Sequence, residues 1–475
     1  MKRYLLLFAI GVTAAAQPVF TAIFPPEEFA ARRAHVMGMI GDGAAILLGA
    51  TEPPGEMPFR QGNQFFYLSG VVEPRAILLI DAKTRRSTLF LNPRDALRED
   101  SMYGPGLSPG AESAKITGMD AVLPRIDFQA AVDALAKDGR TIYTPFRAEV
   151  LGSISSGDPD RMWAANHMDP WDGRTSREHA FLAHLKEKAP KSAVRNLDPI
   201  VDAMRAIKSP GETGVIREAT RIAGLGIMEA MRDARPGLFE YELQADSEFV
   251  FKKYGAFGPA YFALIASGRN TYYTHYHRNT AKLQDGDLVQ FDYAPDYKYY
   301  QSDVTRVFPA NGKFTPWQRE YYDIYLRLYR AVMTSIKVHA APHDILRDAL
   351  VKMDAIMAGY KFSDEKIRRA AEKFVENYRR QQPSATSLGH SVGMEVHDVH
   401  IPTDTLEPGE IFTIEPEMRI EEDHLGLRLE DMILITGTGY ENLSAFVPIE
   451  IADIEKLMAG HKHGLSAAHD TLPGK

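Results

Sequence analysis

Four acidic residues and one histidine in the last third of the chain have side chains suited to binding metal: Asp292, Asp303, His390, Glu415 and Glu430. Hard oxygen donors with a single nitrogen favour Mn²⁺, Co²⁺, Zn²⁺ or Fe²⁺ over a metal that prefers sulfur. Four carboxylates carry too much negative charge for one divalent ion, whereas two ions that share two bridging carboxylates balance it. Because a pair of ions can activate water and hold both ends of a hydrolytic transition state, the pattern predicts a hydrolytic centre if the five residues converge.

The two aspartates flank a turn. Asp292 stands in the apolar, strand-like run 288–293, and Asp303 follows eleven residues later, with Pro295 and Asp296 between them. This spacing fits a hairpin that returns the second aspartate beside the first. Aspartates near turns are mostly exposed. Asp292, however, would be a costly buried carboxylate, and a bound metal would offset that cost.

The other three candidates have ordinary explanations when each is taken alone. His390 lies between Gly389 and Gly393, and such glycines let the backbone approach a site closely. A single histidine is nevertheless more often structural or exposed than a ligand, although histidine is the commonest metal-binding side chain. Glu415 and Glu430 stand in apolar strand contexts, where an acid on an edge strand can simply face water. Their occurrence together in one region favours a single site.

The amino-acid composition limits the classes of protein to which this chain can belong. The chain has 475 residues, of which 45% are hydrophobic and 25% charged, which is ordinary for a folded protein and long enough for two domains. The 55 basic and 63 acidic residues give a net charge of −8, so no overall basic surface indicates nucleic-acid binding. The chain contains no cysteine, which excludes disulfides and a thiol nucleophile.

The N-terminus has the pattern of a secretory signal peptide. Lys2 and Arg3 precede a short apolar run from residue 4 to about 12 and then small residues to Ala16. We therefore predict a signal peptide over 1–17 and export to the periplasm or the medium; the alternative is a buried N-terminal helix or strand. No later segment approaches the length of apolar sequence that a membrane-spanning helix needs.

The remaining chain is predicted to form an N-terminal α/β domain over 18–195 and an α+β domain over 196–465. In the first domain, short apolar runs indicate strands: 44–48, 65–68, 76–80 and 87–91. In the second, Ser209 and Pro210 predict the start of a long helix that ends near Ala234. Helices there would pack on one side of a mainly antiparallel sheet.

The order of these motifs resembles the pita-bread metallopeptidases, and among them the Xaa-Pro aminopeptidase (aminopeptidase P) family. The resemblance covers nearly all of the chain after the predicted signal peptide. The matching stretches are 58–61, 65–70 and 73–74 in the N-terminal half, and 285–292, 302–306, 389–390, 396–398, 414–416 and 428–431 in the C-terminal half. Each stretch alone is weakly specific, whereas the ordered set of five ligands is highly specific.

The resemblance implies a role for each ligand. Asp292 would bind one metal ion, His390 and Glu415 the other, and Asp303 and Glu430 would bridge both. Water activated between the ions would attack the carbonyl that precedes a proline, with Glu415 handling the proton. The ions would be Mn²⁺, with Zn²⁺, Co²⁺ or Fe²⁺ as alternatives.

Three further residues take roles from the resemblance. His275 and His397 match histidines that contact the substrate or stabilise the tetrahedral intermediate. Arg428 would orient the ligand carboxylates; its alternative is a surface ion pair, which contributes little. Relatives of this kind also form dimers or tetramers, so a homo-oligomer that acts on peptides with proline at the second position is expected.

Three positions depart from the family pattern. Thr386 stands where many relatives have a histidine, Glu417 replaces the glycine that usually follows Glu-Pro, and His400 stands where glycine is common. Because all five ligands are retained, these changes bear on substrate preference and rate.

Two other functions share these features. Prolidase, which cleaves Xaa-Pro dipeptides only, has the same five ligands, so the rim of the pocket alone distinguishes it. A pita-bread protein without catalysis could instead bind peptides or proteins, because a fold does not guarantee its function. Such a protein should bind fewer than two metal ions per chain.

Overall fold

The computed structural model describes residues 23–460 apart from 54, 56, 150–154, 156, 402 and 403. The described residues form two compact units, one made of 23–146 with 180–197 and the other of 147–179 with 198–460, each without the positions just excluded. The predicted boundary at 195–196 lies close to the last point at which the chain passes from one unit to the other, between 197 and 198, but segment 147–179 groups with the C-terminal unit. The predicted signal peptide over 1–17 lies outside the described residues.

The first unit is built on one six-stranded mixed sheet with the order β4-β3-β2-β1-β5-β6. Its strands are β1 (Ala44–Leu48), β2 (Ile77–Asp81), β3 (Arg86–Leu91), β4 (Ala121–Pro124), β5 (Ile142–Thr144) and β6 (Val194–Asn196). β1, β2 and β3 are antiparallel, and the outer pairs are parallel. Apolar side chains such as Ile46, Ile77 and Phe90 bury one face of the sheet. This mixed helix and strand organisation confirms the prediction for the N-terminal half.

The helices before residue 198 are α1 (Pro26–Met39), α2 (Asn63–Ser69), α3 (Ala96–Tyr103), α4 (Ala111–Thr117), α5 (Phe128–Lys137), α6 (Asp158–Met168) and α7 (Arg177–Lys188). The prediction of a strand over 65–68 is wrong, because these residues lie in α2. All four side chains of that run are buried. A short run of apolar residues has no periodicity that distinguishes a buried helix from a buried strand. Gly70, with φ 68°, ends the helix in a left-handed conformation.

The second unit combines helices with small antiparallel sheets. Its remaining helices are α8 (Asp198–Ala206), α9 (Pro210–Asp233), α10 (Glu240–Lys253), α11 (Pro316–Met333), α12 (Pro342–Gly359), α13 (Glu365–Gln381) and α14 (Ile451–Met458). The predicted start of α9 is confirmed: Ser209 and Glu212 form a capping box that satisfies two terminal backbone N–H groups.

Strands of this unit position four of the candidate ligands, whereas His390 lies in a loop. The strands are β7 (Gly258–Pro259), β8 (Leu264–Ser267), β9 (Leu288–Asp292), β10 (Pro295–Asp296), β11 (Thr305–Pro309), β12 (Ile411–Ile414), β13 (Glu417–Ile420), β14 (Leu425–Arg428), β15 (Asp431–Thr436) and β16 (Gly439–Asn442). One sheet has the order β11-β9-β8 and the other β12-β15-β16. These antiparallel pairings confirm the predicted α+β class of the C-terminal half. No helix among the described residues combines the length and apolar character needed to cross a membrane.

Candidate metal centre

The two aspartates lie side by side at the ends of paired strands. β9 and β11 are antiparallel with Asp292 opposite Thr305, so Asp303 stands two residues before its strand begins. This register confirms the predicted hairpin. Both carboxylates are buried, with Asp292 3% and Asp303 5% exposed. Tyr261 connects them, because its hydroxyl lies 2.6 Å from an oxygen of each.

The two glutamates are presented where strands end in the second sheet. Glu415 directly follows β12, and Glu430 stands between β14 and β15. The backbone of Glu430 pairs with that of Thr305, and the Thr305 hydroxyl donates a 2.8 Å hydrogen bond to the Glu430 carboxylate. This pairing joins the two sheets, which places Glu430 beside the aspartates.

His390 enters from a loop pressed against β12. The His390 carbonyl accepts a 3.0 Å hydrogen bond from the Thr413 N–H. At Gly389, a Cβ atom would lie only 1.9 Å from the Thr413 carbonyl oxygen, so this approach requires glycine. The loop therefore places His390 beside the end of the strand that precedes Glu415.

The five candidate ligands line one cavity of about 310 Å³. The Nε2 atom of His390 lies 3.1 Å from Glu415, 3.5 Å from Asp303 and 3.8 Å from Glu430. Ligand atoms of Asp303, His390 and Glu430 all lie within 4.8 Å of one another. The predicted convergence of the five residues is therefore present in the fold.

Burial and the repulsion between neighbouring carboxylates change the pKa values of the acids in this cluster. Burial raises the pKa of Asp292 to about 7, against the opposing effect of Arg428. Burial and the charges of Asp303 and Glu415 raise the pKa of Glu430 well above its usual value. Burial would likewise raise the pKa of Asp303, but hydrogen bonds to His390 and Tyr261 hold it below its usual value. The site thus concentrates more negative charge than its own cations neutralise.

The donor set fits divalent ions. Four carboxylates and one imidazole supply the hard oxygen and nitrogen ligands that such ions accept. The Oε1 atom of Glu430 is buried without a hydrogen bond, and a metal ion would satisfy it. The residues present are therefore suited to hold divalent metal, which would also relieve the repulsion within the cluster.

Arg428 is buried, with 2% of its surface exposed, and contacts the Asp292 carboxylate directly. Its Nη1 atom lies 3.8 Å from Glu415. Residues Glu417 and Arg428 are opposite each other in the β13–β14 pair, and the Arg428 side chain lines the cavity. This position differs from the surface ion pair that was the alternative for Arg428.

The two additional histidines also line the cavity. The ring of His397 packs edge-on against that of His390, with centroids 4.2 Å apart. Its Nδ1 atom lies 2.7 Å from the hydroxyl of Ser155. Burial and the nearby charge of His390 lower the pKa of His397. His275 is exposed at the side of the cavity.

Several contacts in the site were not predicted from the sequence. Tyr261 bonds both aspartates, Thr305 bonds Glu430, and Ser155 bonds His397. No spacing rule connects these residues with their partners, which lie 31 to 242 positions away along the chain. Thr305 belongs to a stretch that matched the family pattern, and that match is the one signal that could have indicated it.

The three departures from the family pattern lie in different surroundings. Glu417 accepts hydrogen bonds from Thr274 at 3.1 Å and Arg419 at 2.6 Å, next to the loop that carries His275. Thr386 lines a separate cavity of about 290 Å³. His400 is exposed. Among the three, Glu417 has the most direct connection to a residue of the site.

Comparison with known proteins gives consistent results for both halves of the chain. Residues 214–437 match the model of metallopeptidase family M24, and residues 29–143 match that of the aminopeptidase P N-terminal domain. The chain is 32% identical to the Xaa-Pro aminopeptidase of Escherichia coli (strain K12) over 91% of its own length and 97% of the relative's. It is 30% identical to that of Haemophilus influenzae, over 92% and 99%.

Solved structures show the same architecture. Zn-substituted E. coli aminopeptidase P in complex with product superposes with a TM-score of 0.73 at 29% identity, covering 92% of this chain and 98% of that one. Proline aminopeptidase P II from Yersinia pestis superposes with a TM-score of 0.70 at 31% identity, covering 92% and 100%. All five candidate ligands fall within the part of the chain that matches the metallopeptidase model.

Proposed function

The chain belongs to metallopeptidase family M24 and, within it, to the Xaa-Pro aminopeptidases, and from that premise we propose that it hydrolyses the bond between an N-terminal residue and a following proline. The observation that carries the proposal is the convergence of Asp292, Asp303, His390, Glu415 and Glu430 in one cavity of the matched domain. The N-terminal domain match and the names of the relatives favour an aminopeptidase over a prolidase.

We propose that these five residues would hold two divalent ions, Asp292 contributing to one, His390 and Glu415 to the other, and Asp303 and Glu430 to both. Bound ions would supply the Lewis acidity that activates water and stabilises negative charge on the substrate. Mn²⁺ is the proposed ion, because the donors are mostly hard oxygen atoms, with Zn²⁺, Co²⁺ and Fe²⁺ as alternatives.

Glu415 is suited to move the proton. Its side chain is 30% exposed, more than that of Glu430 in the same cluster, and it faces the cavity. The Glu415 carboxylate would accept a proton from the attacking water and deliver it to the leaving proline nitrogen. Arg428 lies 3.8 Å from it and would keep the carboxylate oriented during that transfer.

The histidines would act on the substrate carbonyl. His397 and His275 both line the cavity beside the ligand cluster, and a ring N–H there can stabilise the negative charge of a tetrahedral intermediate. Tyr261 and Thr305 would hold the carboxylates in position through their hydrogen bonds.

Hydrolysis of three peptides tests the activity. Purified protein supplied with Mn²⁺, Co²⁺ or Zn²⁺ should release the first residue from Xaa-Pro-Yaa and leave the matched Xaa-Ala-Yaa intact. Cleavage of Xaa-Pro alone would indicate a prolidase. Failure to cleave any of the peptides with two ions bound would contradict the proposed activity and indicate a different substrate.

Export and assembly are further proposals. The charged start, apolar run and small residues of 1–17 support a signal peptide, so the exported protein should begin near residue 18 on N-terminal sequencing. The family resemblance supports a homo-oligomer, which light scattering of the purified protein would measure.

A further inference from the structure

Segment 147–179 lies between the two stretches that match family models, 29–143 and 214–437, yet it belongs to the compact unit that carries the metal centre. Ser155, Asp158 and Arg161 from this segment line the cavity with the candidate ligands. The segment therefore adds side chains to the site from outside the matched region of the metallopeptidase model.

The start of the segment is anchored to α8. The Arg147 guanidinium donates two hydrogen bonds of 2.9 Å to the Asp202 carboxylate, and the Arg147 backbone N–H bonds Asp198 at 2.8 Å. Ser155 is then held in a turn before α6, because its carbonyl accepts from the Asp158 N–H at 3.0 Å and its own N–H donates to the Asp158 carboxylate at 3.3 Å.

Helix α8 also holds the chain next to His397. Asp398, the next residue, lies 2.5 Å from Arg205 on α8 and 3.3 Å from Lys208. Asp398 and Arg205 are both buried. The backbone of His397 is thus held by its neighbour, while its ring contacts Ser155 at Nδ1 and forms a T-shaped contact with the ring of His390.

We propose that Ser155 is a positioning residue for His397: its hydroxyl donates to Nδ1, so that the ring N–H lies on Nε2. A neutral imidazole has one donor and one acceptor nitrogen, and a serine hydroxyl can pair with either, so donation by Ser155 is the part of the proposal that the experiments below must test. Since Ser155 occupies Nδ1, Nε2 is the nitrogen left to donate to a substrate carbonyl. This inference rests on the proposed function, in which His397 stabilises the tetrahedral intermediate.

Three variants test the effect on catalysis. Ser155→Ala should lower kcat on Xaa-Pro-Yaa about tenfold, as expected for a lost hydrogen bond of moderate strength, with KM changed less than about twofold. Ser155→Thr keeps a hydroxyl and should restore most of the rate. Ser176→Ala is the matched control, because Ser176 bonds His179 at 3.0 Å in the same segment without lining the cavity. Unchanged kcat in Ser155→Ala would overturn the proposal.

A double-mutant cycle tests whether Ser155 acts through His397. In a His397→Gln background, the Ser155→Ala change should cost no further activity, because the group it orients is gone. An equal loss of rate in both backgrounds would show that Ser155 acts on something else and would overturn the proposal.

A measurement without turnover separates this inference from the proposed function. Long-range ¹H–¹⁵N NMR spectra of protein labelled at histidine, recorded without metal and with Zn²⁺, report which nitrogen of each ring carries hydrogen. His397, assigned by its absence in His397→Gln, should be protonated on Nε2 and should become a mixture of tautomers in Ser155→Ala. An identical His397 signal in both proteins would contradict the inference, even if the peptides are cleaved. Lack of cleavage with the expected change of tautomer would instead contradict the proposed function alone.

Discussion

Asp303 lies in the candidate metal centre, close to a tyrosine hydroxyl and a histidine ring. Its carboxylate is 2.6 Å from the Tyr261 hydroxyl and 3.5 Å from His390 Nε2. A carboxylate that bridges two ions neutralises both, and an amide of the same size keeps the volume of the side chain but not its charge. The function of this residue and its contribution to packing can therefore be separated by one substitution.

Asp303→Asn should reduce peptide hydrolysis to background while the protein remains folded, because it removes the charge proposed to neutralise both ions and no core volume. Activity, circular dichroism and bound metal should be measured on the same sample. Asp285→Asn is the matched control, since Asp285 is exposed in the turn before β9. Full activity in an Asp303→Asn protein of verified metal content would contradict the assignment.

Asp246 on α10 is a buried acid away from the metal centre. It is 7% exposed, its Oδ2 atom has no hydrogen bond, and burial together with the charges of Asp233 and Glu229 raises its pKa to about 7. The folded state therefore binds this proton more tightly than the unfolded state, so the carboxyl costs stability as the pH rises from about 4 to about 7.

Asp246→Asn should remove that cost. Between pH 4 and pH 8, the free energy of unfolding of the variant should improve relative to that of the wild type by roughly 2–4 kcal/mol, because one unit of pKa shift corresponds to about 1.4 kcal/mol. Urea unfolding at both pH values measures the difference. A difference between the two proteins that does not change with pH would show that Asp246 titrates normally.

At the scale of elements, α9 is the longest helix described and carries its own start signal. Ser209 accepts from the Glu212 N–H, and the Glu212 side chain accepts from the Ser209 N–H. These reciprocal bonds satisfy N–H groups that the helix itself leaves unpaired. The helix start is consequently determined within four residues of sequence.

Ser209→Ala should lower the free energy of unfolding by about 1 kcal/mol, the usual cost of removing a serine cap. Ser209→Thr is the control, because threonine retains the hydroxyl and should lose less. Denaturant unfolding of the three proteins tests this expectation. Equal stability of all three would show that the hydroxyl does not contribute to the helix start.

At the scale of the whole molecule, metal binding should stabilise the fold. A chain of net charge −8 that gathers four carboxylates around one histidine gains stability from any ligand that binds only the folded state. At a free metal concentration of about one hundred times Kd, the gain is roughly 2.7 kcal/mol. A rise in Tm of several degrees should follow.

Thermal unfolding with a chelator and with added Mn²⁺ measures this gain, and elemental analysis counts the ions. Two ions per chain and a higher Tm are expected for the wild type, and a smaller rise for Asp303→Asn. One ion or none, with an unchanged Tm, would favour the non-catalytic binding protein considered from the sequence.

Features of the structure could be predicted from the sequence where the interacting residues lie close together along the chain. The α9 cap depends on Ser209 and Glu212, and the register of β9 and β11 follows from a short connection. The types of the five ligands were readable because metals select donor atoms by chemistry. The exception was α2, where an apolar run that is buried throughout carries no periodicity to distinguish a helix from a strand.

The tertiary structure alone decided which distant groups meet. The bond from Tyr261 to both aspartates, the joining of the two sheets through Thr305 and Glu430, and the contact of Ser155 with His397 all depend on how separate elements pack. Donor type is a property of a residue, whereas the distance between two donors is a property of the whole fold. The sequence by itself therefore determined which residues could bind metal and perform hydrolysis, and packing decided which other side chains orient them.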